Sequence, residues 1–151
     1  FDEVITRCAD PTRPYAWIDD RVMEVYRYLH DRGWAHSVET WNAQGRLVGG
    51  LYGVSVGGFF SGESMFHDPE YGRDASKTAL MRLVCELGPG LLDVQWSTPH
   101  LARLGVIDVD RAEYLALLSD ALERPSPQWT SPDDPAWNGG HLLERLRKMT
   151  N

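Results

Sequence analysis

Cys8 and Cys85 are the only thiols in this 151-residue chain. They fall on separate predicted helices, which excludes a disulfide framework, and they read as reduced core thiols of a cytosolic protein. The five histidines are scattered, and no Cys/His cluster has zinc spacing. His67 and His100 could meet in space, but nothing in the pattern makes a metal site of them, and no metal is expected. No apolar run is long enough to span a bilayer and no signal-peptide pattern is present, so no membrane and a cytoplasmic location are expected. The first residue is Phe1 rather than Met, so an upstream segment is expected to have been lost or to lie elsewhere. Positive charge is also scarce, for the net charge is −7. A protein that grips long nucleic acid by its phosphates is normally basic. Binding by bulk charge is therefore excluded, while a local pocket for one nucleotide end, or a negative field that draws a cationic partner, stays compatible with the composition.

What is present describes an ordinary globule, 42% hydrophobic and 25% charged, long enough to bury a core. Residues 1–10 read as a helix end. From Asp20 the spacing of Val22, Val25, Tyr26 and Leu29 is helical, with Gly33 as the stop. "HSVETW" (36–41) predicts a strand and "NAQG" (42–45) a turn in which Gly45 takes positive φ. Residues 46–55 and 59–66 predict a hairpin around "VGG". Gly49, Gly50 and Gly53 inside its first strand mark either bulges and close approaches or simple relief of twist. Asp74 is placed to cap a helix bearing Leu80, Leu83, Val84 and Leu87, ended by Gly88. "LLDVQW" (91–96) predicts a strand, and Thr98 caps a short helix with Pro99 at its first position. Asp110 opens another helix through about Leu122. Pro125, Pro127, Pro132 and Pro135 then read as a linker before a terminal helix at 139–149. This order predicts α+β, a mixed sheet covered by helices.

Three polar residues break the apolar patterning. "GGFFSGESMF" (57–66) carries Glu63 among core-type residues, and a lone carboxylate there costs stability unless it is paired or used. Strand alternation puts Glu63 on one face with Phe59, Ser61 and Met65. That arrangement suits an apolar pocket with one polar recognition point. In "LLDVQW" the same alternation puts Asp93 and Gln95 together, out of pattern for a central strand, at a strand end before a helix N-terminus. Plainer roles remain open for each. Glu63 can pair with Lys77 or Arg73, Asp93 can satisfy loop donors, and Gln95 can bridge strands at a sheet edge. "GESMF" is not a G-x-S-x-G elbow, and "GRDASK" is not a P-loop, although its helix start can accept an anion.

The strings "AHSVETW" (35–41), "LVGGLYGV" (47–54), "GESMF" (62–66), "ASKTAL" (75–80), "LLDVQ" (91–95) and "HLARLG" (100–105) occur in the order and spacing of the leucyl/phenylalanyl-tRNA–protein transferase family, which this chain resembles over residues 1 to about 122. The resemblance implies a GNAT-like sheet flanked by helices in residues 1–124, with 125–151 as a Pro-rich linker and tail. It implies transfer of leucine or phenylalanine, and less readily methionine, from aminoacyl-tRNA to the N-terminal Arg or Lys of a protein, marking it for degradation by the bacterial N-end rule. The family's functional glutamate falls on Glu63, and its Asp and Gln fall on Asp93 and Gln95. Met65 and Phe59 are expected to line the donor side-chain pocket, with Ser61 and Thr98 as further substrate-binding residues. The donor ester is already activated, so no cofactor is expected. Asp93 is expected to orient Gln95 and accept a proton, and Gln95 to position the amine or the ester carbonyl. Glu63 is expected to hold the aminoacyl-adenosine or an acceptor cation.

The chain departs from the family pattern in three places. The family's N-terminal domain, which helps hold the donor 3′ end, is not in it. Val94 stands where Cys is common, at a position expected to face away from Asp93 and Gln95. The tail from Pro125 has no clear counterpart. Two alternatives stay open: a compact transferase using a small-molecule or peptide acceptor in natural-product biosynthesis, and a non-catalytic module that binds cationic N-termini. An acetyl-CoA enzyme is disfavoured, because no Gly-rich pyrophosphate loop precedes the helix at 74.

Overall fold

Gly57, at φ 57°, and Gly58 form a two-residue turn between the paired residues Val56 and Phe59. The hairpin they close is the middle of the sheet. The computed structural model describes residues 1–13, 16–129 and 138–149. Along them run α1 (Asp2–Cys8), α2 (Asp20–Asp31), β1 (Ala35–Trp41), β2 (Leu47–Val56), β3 (Phe59–His67), α3 (Ala75–Leu87), β4 (Leu91–Asp93), α4 (Pro99–Ala102), α5 (Arg111–Glu123) and α6 (Gly139–Met149). The strands lie in the order β1-β2-β3-β4, antiparallel except for the parallel β3–β4 pair. A mixed sheet with helices on it is the expected α+β arrangement. Among the described residues, no helix is long and apolar enough to cross a membrane.

Strand alternation divides the core in two. Tyr52 and Phe66 face α1, where they pack with Val4, Ile5 and Cys8, and Tyr26 of α2 covers them. Leu51 and Phe60 face α3 and pack with Ala79, Leu80 and Leu83. On α2 the half-buried stripe that packs on the core is Val22, Met23 and Tyr26, whereas Val25 of the expected stripe is 56% exposed. The helix rotates because the tyrosine ring, packed edge-on to Tyr52 at 5.2 Å, covers more of the core than a valine can. Val84 on α3 likewise lies at the edge of its apolar face, 36% exposed.

Gly49 allows α3 to sit directly on β2, since a Cβ there would lie 2.5 Å from that of Ala75. Asp74 precedes α3 with φ 62°, and its side chain makes no cap. The left-handed backbone turns the carboxylate to Lys77 instead. Further corrections concern "LLDVQW". The strand stops at Asp93, and it is an edge strand of the described sheet rather than a central one. Backbone pairing ends there because the chain turns away, with Gln95 at φ 66°. The expected terminal helix is present as α6, which lies against α3. Of the expected Pro-rich linker, residues 125–129 form neither helix nor strand. Residues 130–137, with Pro132 and Pro135, lie outside the described residues.

Candidate active site

β3 and β4 pair at only three positions, Phe59 with Leu91, Phe60 with Leu92 and Ser61 with Asp93. Beyond them β3 continues and β4 does not, so a gap opens between the two. Glu63 lies at the mouth of this gap on a β-bulge. Gly53 pairs with Gly62 and Tyr52 with Ser64, so Glu63 is the extra residue. Glycine is required opposite it, since a Cβ on Gly53 would stand 2.1 Å from Ser61 O and 2.4 Å from the Phe60 ring.

The bulge shifts the pleat by one residue, which corrects the expected face sharing. Ser61 and Glu63 stay on one side, with Ser61 Oγ donating to Glu63 Oε1 at 3.0 Å. Met65 turns to the other side and packs against the core under α3. Both residues nonetheless line a 160 Å³ slot where the strands part, together with Leu51, Leu83, Leu92 and Leu101. The slot is apolar apart from the bulge residues and Tyr52. Arg13 braces the bulge from the α1 side, donating from Nη2 to Met65 O at 2.6 Å and from Nη1 to Cys8 O at 2.8 Å.

Asp93 and Gln95 meet Glu63 by a route that strand alternation does not describe. A non-glycine residue in the left-handed region costs about 1–2 kcal/mol, so the turn at Gln95 must be held. Asp93 Oδ1 holds it by accepting the Gln95 N–H at 2.7 Å. The turned side chain then reaches back across the gap. Gln95 Nε2 donates to Gly62 O at 3.1 Å and to Glu63 Oε2 at 3.2 Å. A primary amide has two N–H bonds and one carbonyl oxygen. With both hydrogens engaged on β3, Oε1 is the end available to accept. Two of the plainer roles are thus fulfilled at the site itself: Gln95 bridges to β3, and Asp93 satisfies a loop donor. The suggested Glu63–Lys77 pair is not made, because Lys77 bonds Asp74.

Two tyrosines join the cluster that sequence reasoning did not single out. Tyr114 of α5 donates its hydroxyl to Asp93 Oδ2 at 2.7 Å. That bond, then burial and the carboxylate's charge, raise the phenol's pKa. Tyr26 faces Glu63 from α2, and burial first, then the Glu63 charge, raise its pKa as well. Tyr26 is visible in sequence only as a member of an apolar stripe. Tyr114 has no signal beyond its place in the first turn of a capped helix.

Of the remaining expected residues, Ser61 belongs to the cluster and Met65 to the slot. Phe59 lies at the hairpin end of β3 and does not line the slot. Thr98 caps α4, with Oγ1 accepting from Leu101 N at 3.1 Å. On the far side of Asp93 and Gln95 lies a broader cleft of 780 Å³ between α3, β4 and α5, into which Tyr114, Asp108 and the 79%-exposed Trp96 also face. Val94 lines both cavities, so Asp93 and Gln95 stand on the partition between them. Among the described residues, no three His, Cys, Asp or Glu side chains are grouped to hold a metal ion.

The family profile described as leucyl/phenylalanyl-tRNA protein transferase matches residues 1–119. A leucyl/phenylalanyl-tRNA–protein transferase of Caulobacter vibrioides is 52% identical over 130 residues, covering 83% of this chain and 58% of the relative. One from Rhodopseudomonas palustris is 52% identical over 148 residues, covering 95% and 64%. One from Afipia carboxidovorans is 43% identical over 155 aligned residues, covering 99% and 66%. The chain thus spans less than two thirds of the length of these relatives. With the match running from α1 into α5 and taking in Glu63, Asp93 and Gln95, the chain belongs to the leucyl/phenylalanyl-tRNA protein transferase family.

Proposed function

We propose that this chain is the aminoacyl-transfer domain of such an enzyme, moving a leucine- or phenylalanine-type amino acid from aminoacyl-tRNA to an acceptor amine. The acceptor is the N-terminal Arg or Lys of a protein, which the added residue marks for degradation in the cytoplasm by the N-end rule. Residues 1–124 carry the reaction on a GNAT-like scaffold, a reading supported by the parting of β3 from β4, and 125–151 form an appended linker and helix.

The observation that carries the proposal is the hydrogen-bonded run from Asp93 through Gln95 to Glu63, the last of which lines the slot. A space of 160 Å³ suits one leucyl or phenylalanyl side chain. Met65 and Leu92 in its wall give the dispersion contacts that select such side chains by size. With the side chain seated there, the donor's α-amino group and ester carbonyl lie at the slot mouth, beside Glu63. The Glu63 carboxylate can hold the donor ammonium or a ribose hydroxyl. Gln95 Oε1 can accept one N–H of the neutral acceptor amine and aim its lone pair at the ester carbonyl carbon.

Attack forms the C–N bond and a tetrahedral centre. Collapse breaks the ester C–O bond, the electron pair leaves on the ribose oxygen, and the proton lost by the amine ends there through solvent. No redox step and no nucleotide hydrolysis are needed. Asp93 has both oxygens engaged, on Gln95 N and on the Tyr114 hydroxyl. It therefore holds Gln95, and each oxygen keeps a lone pair with which Asp93 can still accept the proton of the amine, directly or through water.

The test uses leucyl- and phenylalanyl-tRNA with a peptide bearing N-terminal Arg, and wild type against Glu63→Gln and Gln95→Ala. Transfer to the peptide that falls about 10²-fold in either variant supports the reading, that being the usual effect of losing one positioned polar group. Transfer to free amines but not to the peptide points to a small-molecule acceptor. Binding of Arg-started peptides without transfer points to a non-catalytic module.

A further inference from the structure

Gln95 is useful only while its backbone stays in a left-handed turn, and that turn hangs on the orientation of one carboxylate. Asp93 ends β4, so no ladder bond holds the backbone beyond it. One oxygen holds Gln95 N at 2.7 Å, and the other receives the Tyr114 hydroxyl at 2.7 Å. A carboxylate held at both oxygens cannot rotate away from the turn. The phenol itself comes from a fixed place. α5 is tied to the β2–β3 turn by Gly58 N donating to Ala121 O at 2.8 Å. It rests so close on Gly57 that a Cβ there would lie 2.6 Å from Leu122 O. Tyr114 is thus delivered to Asp93 by a helix whose far end is locked to the central hairpin.

We propose that Tyr114 is a positioning residue: acting through Asp93, its hydroxyl holds Gln95 in the turn that aims the amide at Glu63 and the slot mouth. This rests on the transferase reading of the site. The raised pKa of the phenol keeps the donor hydrogen in place through the neutral range.

The experiment compares wild type, Tyr114→Phe and Asp93→Asn, with Leu115→Ala as a control on the exposed side of α5. It reads backbone amide exchange at Gln95 by NMR, together with kcat and KM for transfer. Exchange at Gln95 is expected to rise about tenfold or more in Tyr114→Phe and to stay as wild type in Leu115→Ala. For transfer, kcat is expected to fall about tenfold with KM for the donor within twofold. The Asp93→Asn/Tyr114→Phe double variant is expected to be no slower than Asp93→Asn alone, because Tyr114 acts through Asp93. Unchanged exchange in Tyr114→Phe, equal loosening in Leu115→Ala, or full additivity in the double variant overturns the proposal. If the wild type transfers nothing, the transferase reading fails, and the Gln95 exchange still decides the role of Tyr114.

Discussion

Gln95 Nε2 and Glu63 Oε2 meet at 3.2 Å across a gap where two strands part, from positions 32 residues apart. The contact exists because a left-handed residue on one side faces a bulged residue on the other. Both are backbone states that cost stability where nothing uses them. Replacing Gln95 by glycine relieves the backbone while removing the amide. Gln95→Gly is expected to unfold at a denaturant midpoint equal to or above wild type, and to transfer about 10²-fold more slowly. A matched loss of stability and activity would contradict the assignment.

Met65 tests the slot. Met65→Ala enlarges it and Met65→Phe fills it. The first is expected to relax the preference for leucyl over larger donors, and the second to reject phenylalanyl donors. Each change is worth about 1–3 kcal/mol in relative kcat/KM, the scale of one or two methylenes in an apolar pocket. Competition between leucyl- and phenylalanyl-tRNA measures it, and an unchanged donor ratio in both variants would remove Met65 from the pocket.

Gly53 tests the bulge. An alanine Cβ there meets Ser61 O at 2.1 Å, backbone that cannot swing aside as a long side chain can. Gly53→Ala is expected to cost about 1–3 kcal/mol or more by overpacking. Gly45→Ala is expected to cost less: Gly45 has open space around it, so only its φ of 72° is strained. Urea unfolding of the two variants orders them.

Tyr52 gives a pH dependence. It is fully buried, and its hydroxyl has no hydrogen-bond partner among the described residues. Burial, then the proximity of Cys8, Tyr26 and Glu63, raise its pKa. A folded pKa above the unfolded value of about 10 means that the stability is whole below pH 10 and drains away as pH climbs past it. Tyr52→Phe removes that term and the unpaired hydroxyl together. It is expected to raise stability by about 1 kcal/mol at neutral pH and to move the onset of alkaline unfolding upward. Thermal melts between pH 7 and 11 follow both effects.

The turns and the hairpin were legible because local chemistry decides them. Asn42 Oδ1 takes the N–H groups of Gln44 and Arg46 at 3.0 Å each, as an Asn–x–x–Gly turn should. Gly57–Gly58 and the cap at Asp110 likewise follow from neighbours in sequence. The stripe on α2 and the length of β4 are not legible in this way, because they depend on what lies opposite. Period alone cannot say that Tyr52 waits beneath Tyr26, or that β4 loses its partner after Asp93.

The same division runs through the site. The order of residues alone marked Glu63, Asp93 and Gln95 as polar groups in apolar company, since such residues carry a desolvation cost wherever they are buried. Their assembly was settled only in three dimensions. A bulge moves Met65 away from Glu63's face, a positive φ sends Gln95 back to β3, and Tyr114 arrives from a helix beginning 18 residues beyond Asp93. Gly53 gives the bulge a local sign in the sequence, whereas the other two have none, because they are fixed by hydrogen bonds and steric limits between segments distant along the chain.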